Sequence, residues 1–269
     1  MSLDYTAEKY RALCKALVAA GYQSTPLVDY IRGGKKQSNR KLVILRHDVD
    51  RFPKMALVLA AIEQELGLKA SYYFRIPASW NEGIIRKIGS MGHEVGLHYE
   101  SLDKAKGNVI KAKEFLHQDL KQLRSVAESL TVAMHGNPLT PYDNRDIWKE
   151  VSLAEFGILG EAYLSVDFER VLYYSDTGRT WQENKFNIYD RIPAGRAKIE
   201  NKPVANTTDD LIRIIRKEER NFYILTHPER WPTSLPAWLL SATRDLVSNF
   251  IKIAFKRIYY SEQKQIGYR

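Results

Sequence analysis

The sequence predicts an α/β fold built on a parallel sheet or barrel, and two observations carry that prediction. From Lys41 to Gly136, short apolar runs alternate with helix-length amphipathic segments, the pattern of strand-helix-strand units. Several apolar runs also end alike: "RHDVD", "GLHYE", "AMHG" and, much later, "ILTH". In a parallel α/β barrel the carboxyl ends of the strands form one rim, and reactive side chains gather there.

The elements follow in order. Asp4 to Ala20 carries apolar residues at helical spacing through "YRALCKALVAA". "KLVILRHDVD" reads as a strand, Pro53 opens a helix to about Leu66, and Gly67 supplies the stop. "KASYYFRI" is a second strand, "NEGIIRKIGSMG" a short helix closed by Gly92, and "HEVGLHYE" a third strand. "NVIKAKEFLHQDLKQLRSVAES" is a long amphipathic helix, and "LTVAMHG" a fourth strand. Beyond Pro138 the pattern loosens. "AYLSVDF" and "RVLYYSD" suggest strands, and Gly178 to Pro203 is loop-rich with short strand candidates. "TTDDLIRIIRKEE" returns to helix with Thr207 or Thr208 as its cap, "NFYILTH" is a late strand, and Pro236 to Tyr260 is a final helix.

No repeat, linker or low-complexity stretch divides the 269 residues, so one domain is expected over 1–269. Its motif-bearing core is about 41–231, with helical extensions over 1–40 and 232–269. The single cysteine, Cys14, excludes an internal disulfide framework and fits a reducing compartment. With no secretory signal pattern and no run near the ~18 apolar residues of a spanning helix, the chain reads as cytoplasmic. A net charge of +9 favours anionic partners. The basic residues are nevertheless dispersed, and no zinc-finger, helix-turn-helix or RNP-like pattern is present, which argues against nucleic acid.

Strand parity sorts the rim residues, because i and i+2 share a face. Arg46, Asp48 and Asp50 share one face; His47 points the other way and reads as structural. His93 and His98 lie on opposite faces, and His98, at the strand end, is the better ligand candidate. Two inward carboxylates this close raise each other's pKa unless something of opposite charge intervenes. A divalent cation resolves the conflict, with His98 supplying a nitrogen ligand suited to zinc or a similar metal. One carboxylate then stays free as a base, and Arg46 is placed to hold it ionised.

With these motifs in order, the chain resembles the polysaccharide deacetylase family (NodB-homology carbohydrate esterases), over roughly Lys41 to Trp231. The set "RHDVD", "GLHYE", "HGNP" and "THPERW" is similar to a divergent branch linked to bacterial surface-polysaccharide and O-antigen gene clusters. The resemblance implies a distorted (β/α) barrel of about seven parallel strands. The family's "TFDDG" motif has its counterpart in "RHDVD", making Asp48 the catalytic base and Asp50 the metal-binding aspartate, displaced by one residue. In "GHEVGLHYESL", His98 matches the first metal histidine, and the second falls on Leu102, which cannot bind metal. "MHGNPLTPYDNRD" offers His135 where the family has an arginine that orients the base. His227 in "YILTHPERW" matches the general acid. A catalytic zinc site normally has three protein ligands. His135 is the first choice for the third and Glu100 the second; His135 is also a candidate for the missing arginine's role, which Arg46 is able to fill. "YYSDTGRTW", with Asp176, Arg179 and Trp181, lies where the family places groove and orienting residues. Tyr73 and Trp231, near strand ends, join them as candidates to contact a sugar.

The implied chemistry is metal-assisted hydrolysis of an N-acyl, chiefly acetyl, group on a sugar, the net charge suiting an anionic glycan or phosphate-bearing donor. Two other readings stand beside it: a glycan-binding or assembly protein on an inactive deacetylase scaffold, and hydrolysis of another small amide. The final helix, "LLSATRDLVSNFIKIAFKRIYY", mixes apolar and basic residues. It is expected to pack its apolar face on the barrel, the alternative being peripheral contact with the inner face of an anionic membrane.

Overall fold

The computed structural model describes residues 3–33, 41–182 and 190–266, with the side chains of the last helix described as far as Ile251. The amino-terminal part comprises α1 (Ala7–Ala19), the two-residue β1 (Gln23–Ser24) and α2 (Leu27–Gly33). Then come β2 (Leu42–Val49), α3 (Pro53–Glu65), β3 (Ser71–Phe74), α4 (Glu82–Ser90) and β4 (Glu94–Tyr99). After β4 follow α5 (Ser101–Lys104), α6 (Val109–Arg124), β5 (Thr131–Met134), β6 (Gly160–Glu161) and β7 (Val171–Ser175). The chain continues with α7 (Thr208–Lys217), β8 (Asn221–Thr226) and α8 (Leu235–Ile266). Local chemistry explains the boundaries. Asn81 and Asn108 accept from backbone N–H groups at the starts of α4 and α6, and Thr207 forms a reciprocal capping box with Asp210 at α7.

Seven strands form one parallel sheet in the order β6-β5-β4-β3-β2-β8-β7, with β1 added alongside β2. All eight residues of β2 are buried, as a central strand covered on both faces requires. The sheet curls into a half-barrel. Across the gap between β6 and β7, the Tyr163 and Tyr173 hydroxyls lie 3.4 Å apart, and the Tyr223 hydroxyl donates to the Ala162 carbonyl at 3.0 Å. Inside the curl, the Arg46 guanidinium sits 4.3 Å from the centre of the Tyr163 ring and 5.7 Å from that of Tyr73. Gly96 makes this filling possible, since a Cβ there would lie 2.4 Å from the Tyr73 ring.

Behind the sheet, His47 does point outward. Its Nε2 is 2.7 Å from Glu63 of α3 and its Nδ1 is 2.6 Å from the Thr226 hydroxyl of β8. Buried Glu63 also accepts from the hydroxyls of Tyr10 and Tyr72. His93 is likewise structural: its Nε2 donates to the Ala60 carbonyl and its Nδ1 accepts from the Ala70 N–H, each at 3.1 Å.

Three expectations need correction. "AYLSVDF" is a turn, because the Glu161 carboxylate accepts from the N–H groups of Tyr163 and Leu164 and bends the chain out of the sheet. The described part of Gly178 to Pro203 contains no strand; residues 183–189 lie outside the described residues. The last helix begins at Leu235 and continues to Ile266, and its apolar face from Leu235 to Phe250 is turned away from the barrel. Among the described residues, no helix is long and apolar enough to cross a membrane.

Candidate active site

The carboxyl ends of β2, β4, β5 and β8 meet at the mouth of the half-barrel. At its floor, Arg46 grips Asp48 with two parallel bonds, Nε to Oδ1 at 2.7 Å and Nη2 to Oδ2 at 2.6 Å. Both side chains are fully buried. Burial opposes the Arg46 charge, but Asp48 more than offsets it, and the guanidinium stays protonated. This bidentate pair fixes Asp48 against the next layer, with Oδ2 3.7 Å from His98 Nε2.

Above that floor, His98 Nε2 and His135 Nε2 approach Asp50 Oδ1 at 3.3 and 3.4 Å. One ligand-type atom from each of the three residues lies within 4.8 Å of the others. Asp50 Oδ1 is buried and has no hydrogen-bond partner among the described residues. His98 Nδ1 donates to the Ala133 carbonyl at 3.0 Å, which aims Nε2 at Asp50; burial opposes the charge of this ring, but Asp48 and Asp50 raise its pKa, so a cation bound here would take the place of the Nε2 proton. Burial pushes His135 down to about 4, Arg75 assisting against the pull of Asp50, so at neutral pH that ring offers a lone pair. Burial works against ionisation of Asp50, yet His135 and His98 hold its carboxyl well below the usual range. Lone pairs converging on one oxygen repel unless a proton or cation lies among them, and this donor set suits a divalent transition metal. Glu100 is elsewhere. β4 ends at Tyr99, and the Glu100 carboxylate pairs with Arg75 at 2.6 Å and lies 3.5 Å from His135 Nδ1.

Across the mouth, Asp176 organises His227. One Asp176 oxygen accepts from His227 Nδ1 at 2.6 Å and from Arg230 at 2.9 Å. The other accepts from the His227 backbone N–H at 2.9 Å and the Trp231 indole at 2.8 Å. The carboxylate only accepts, so Nδ1 carries a proton and Nε2 faces the site. Burial and Arg230 oppose protonation of His227, but Asp176 and then Asp190 raise it to about 9. Asp48, Asp190 and His227 also bring ligand-type atoms within 4.8 Å of one another, so the floor carboxylate and this imidazole share one mouth.

A cavity of about 350 Å³ opens here, lined in part by Asp50, His98, His135, His227 and Glu229. Glu229 and Asp190 are absent from the sequence-derived set. Glu229 lies within the "THPERW" motif, whereas no sequence pattern marks Asp190. The Glu229 Oε2 atom is buried without a hydrogen-bond partner, and burial, reinforced by Asp50, raises its carboxyl to about 7.

Several candidates for sugar contact lie in the core instead. Tyr73, Trp181 and Trp231 are fully buried and present no ring face to a ligand. Asp176 is also fully buried, and Arg179 is tied to Asp245 and Ser241 of α8 at 2.7 Å each. The aromatic side chain that does reach the mouth is Phe52, 46% exposed, with φ of 54° in the left-handed region that non-glycine residues seldom occupy.

Fold and site together define a class: an α/β half-barrel whose carboxyl-terminal mouth carries a ligand-like Asp-His-His cluster facing a protonated histidine. No protein-family model matches the chain, and no curated protein matches it. Among solved structures it is similar to the Streptococcus pyogenes deacetylase PplD in complex with acetate, at 13% identity and a TM-score of 0.41, over 59% of this chain and 73% of that one.

Proposed function

We propose that the protein is a metal-dependent hydrolase that removes an N-acyl group, chiefly acetyl, from a sugar during assembly of a bacterial surface polysaccharide. One observation carries this reading: Asp50, His98 and His135 converge on a buried oxygen without a hydrogen-bond partner, facing His227 across the same cavity. The sugar and its setting rest on the likeness of "RHDVD", "GLHYE", "HGNP" and "THPERW" to the surface-polysaccharide branch of deacetylases.

Asp50, His98 and His135 would hold zinc or another divalent cation, which would supply Lewis acidity to a water and an acyl carbonyl. The chain's own groups do the rest. Arg46 holds Asp48 by two bonds, and Asp48 takes the proton of the attacking water. His227, charged at neutral pH, gives its Nε2 proton to the leaving amine, while Asp176 fixes the ring and favours its protonated form. Their ligand-type atoms, within 4.8 Å, are close enough to flank one acyl group. Phe52 offers a sugar the ring face left open by the Arg244 guanidinium, which lies 4.8 Å from the ring centre.

A second assignment of the base has its own support. Both Asp48 oxygens are occupied by Arg46, whereas Glu229 lines the cavity with an unpartnered oxygen and titrates near 7, where a general base works best. The decisive experiment measures metal content and acetate release from N-acetylated amino sugars by the purified protein. Bound stoichiometric metal with release abolished in Asp48→Asn and retained in Glu229→Gln supports the first assignment; the reverse pattern supports the second. Absence of metal, with no uptake on adding zinc, refutes the proposed reaction.

A further inference from the structure

The helix α8 is amphipathic the wrong way round for a helix packed on a soluble barrel. Its polar side faces the protein: Ser241 donates to the Glu229 carbonyl at 2.8 Å, and Asp245 accepts from Arg179 at 2.7 Å and Arg230 at 3.3 Å. Ser248 and Asn249 line the active-site mouth. The opposite side carries Leu235, Leu239, Leu240, Leu246, Val247 and Phe250, each 52% to 64% exposed. Surface helices normally do the reverse, and a contiguous apolar stripe left in water marks an interaction surface.

We infer that this stripe docks on an anionic lipid surface, lying in the plane of the headgroups with the active-site mouth beside it. Charge selects the occupant. In the described part of the helix the charged residues are Arg244 and Asp245, and Asp245 is already neutralised by two arginines. The whole chain carries +9. A second copy of so basic a chain would be repelled, whereas anionic headgroups complement its charge. Because α8 is not apolar enough to span, the contact is interfacial. Ser248 and Asn249 lie on the opposite side of the same helix, which sets the mouth about 10 Å, one helix diameter, from the lipid. The substrate class that follows, a glycan presented on a lipid carrier, rests on the hydrolase reading above; the docking itself does not.

The test is co-sedimentation of the full chain with vesicles of phosphatidylcholine alone and of an equal mixture with phosphatidylglycerol. The anionic vesicles are expected to bind at least about tenfold more strongly, with binding weakened by salt. The triple variant Leu239→Ser, Leu246→Ser, Phe250→Ser keeps every charge and every residue of the mouth. It should lose binding by about a hundredfold with an unchanged melting temperature. Equal binding by the variant, no binding to the anionic vesicles, or a wild-type dimer that the variant converts to monomer would each overturn the inference. The readout needs no turnover, so a protein that binds vesicles but releases no acetate upholds the docking and sinks only the hydrolase reading.

Discussion

Replacing Asp176 by Asn removes one negative charge from the back of His227 and leaves the shape of the side chain unchanged. His227 is raised from 6.5 to about 9, a stabilisation of its charged form worth ~3 kcal/mol. Burial and Arg230 oppose that charge, and Asp176 is the first contributor in its favour, so in the variant the imidazole should titrate below its ordinary value. The consequence for stability has a definite sign. A folded pKa above the unfolded one stabilises the native state fully below about pH 6.5, and the contribution disappears as pH rises through about 9. Wild-type protein should therefore lose ~3 kcal/mol from this source between those limits, and the variant should not. NMR titration of the His227 ring, with urea denaturation at several pH values, measures both effects. The alkaline limb of kcat/KM should shift with the ring. A variant whose His227 still titrates near 9 would refute the assignment of Asp176 as the source of the shift.

Alanine at Asp50, His98 or His135 should weaken divalent metal binding by at least about a hundredfold, whereas Glu100→Ala should leave it within about tenfold, as read by competition with a chromogenic chelator. Arg46→Met removes one partner of a fully buried ion pair and should cost about 3–5 kcal/mol in denaturant unfolding; a loss below about 1 kcal/mol would show that the pair is not formed there. Gly96→Ala forces a Cβ to 2.4 Å from the Tyr73 ring and 2.7 Å from the Thr131 carbonyl, and should cost about 1–3 kcal/mol. An unchanged melting temperature would contradict the packing described inside the sheet.

Much of the sheet was legible because buried parallel strands announce themselves as unbroken apolar runs between capped helices. Parity separated His47 from Asp48 correctly, since the two faces of β2 meet different chemistry, Glu63 outside and Arg46 within. Other features depend on contacts that sequence spacing does not encode. Tyr73 looked like a groove residue near a strand end, but Gly96 on the neighbouring strand opens the space that draws its ring inward. Trp231 is buried because Asp176, far away in the chain, accepts its indole proton. Glu161 turns a strand-like segment by capping its N–H groups. In α8 the helical period was readable but its orientation was not. Arg179, Arg230 and the Glu229 carbonyl, all outside the helix, partner the polar side and leave the leucines outward.

The glycine on β4 has a consequence beyond stability. By admitting the Tyr73 ring beside Arg46, with Tyr163 and Tyr223 closing in from the other side, it plugs the axis of the half-barrel. Among the described residues, the cavity at the mouth is therefore closed at its floor. If the substrate is a long glycan, as proposed, it would lie across the opening or offer its end. Under the proposed hydrolase reading, water, acid and amine would all leave by the route the substrate entered, so departure of the released acid would compete with arrival of the next residue.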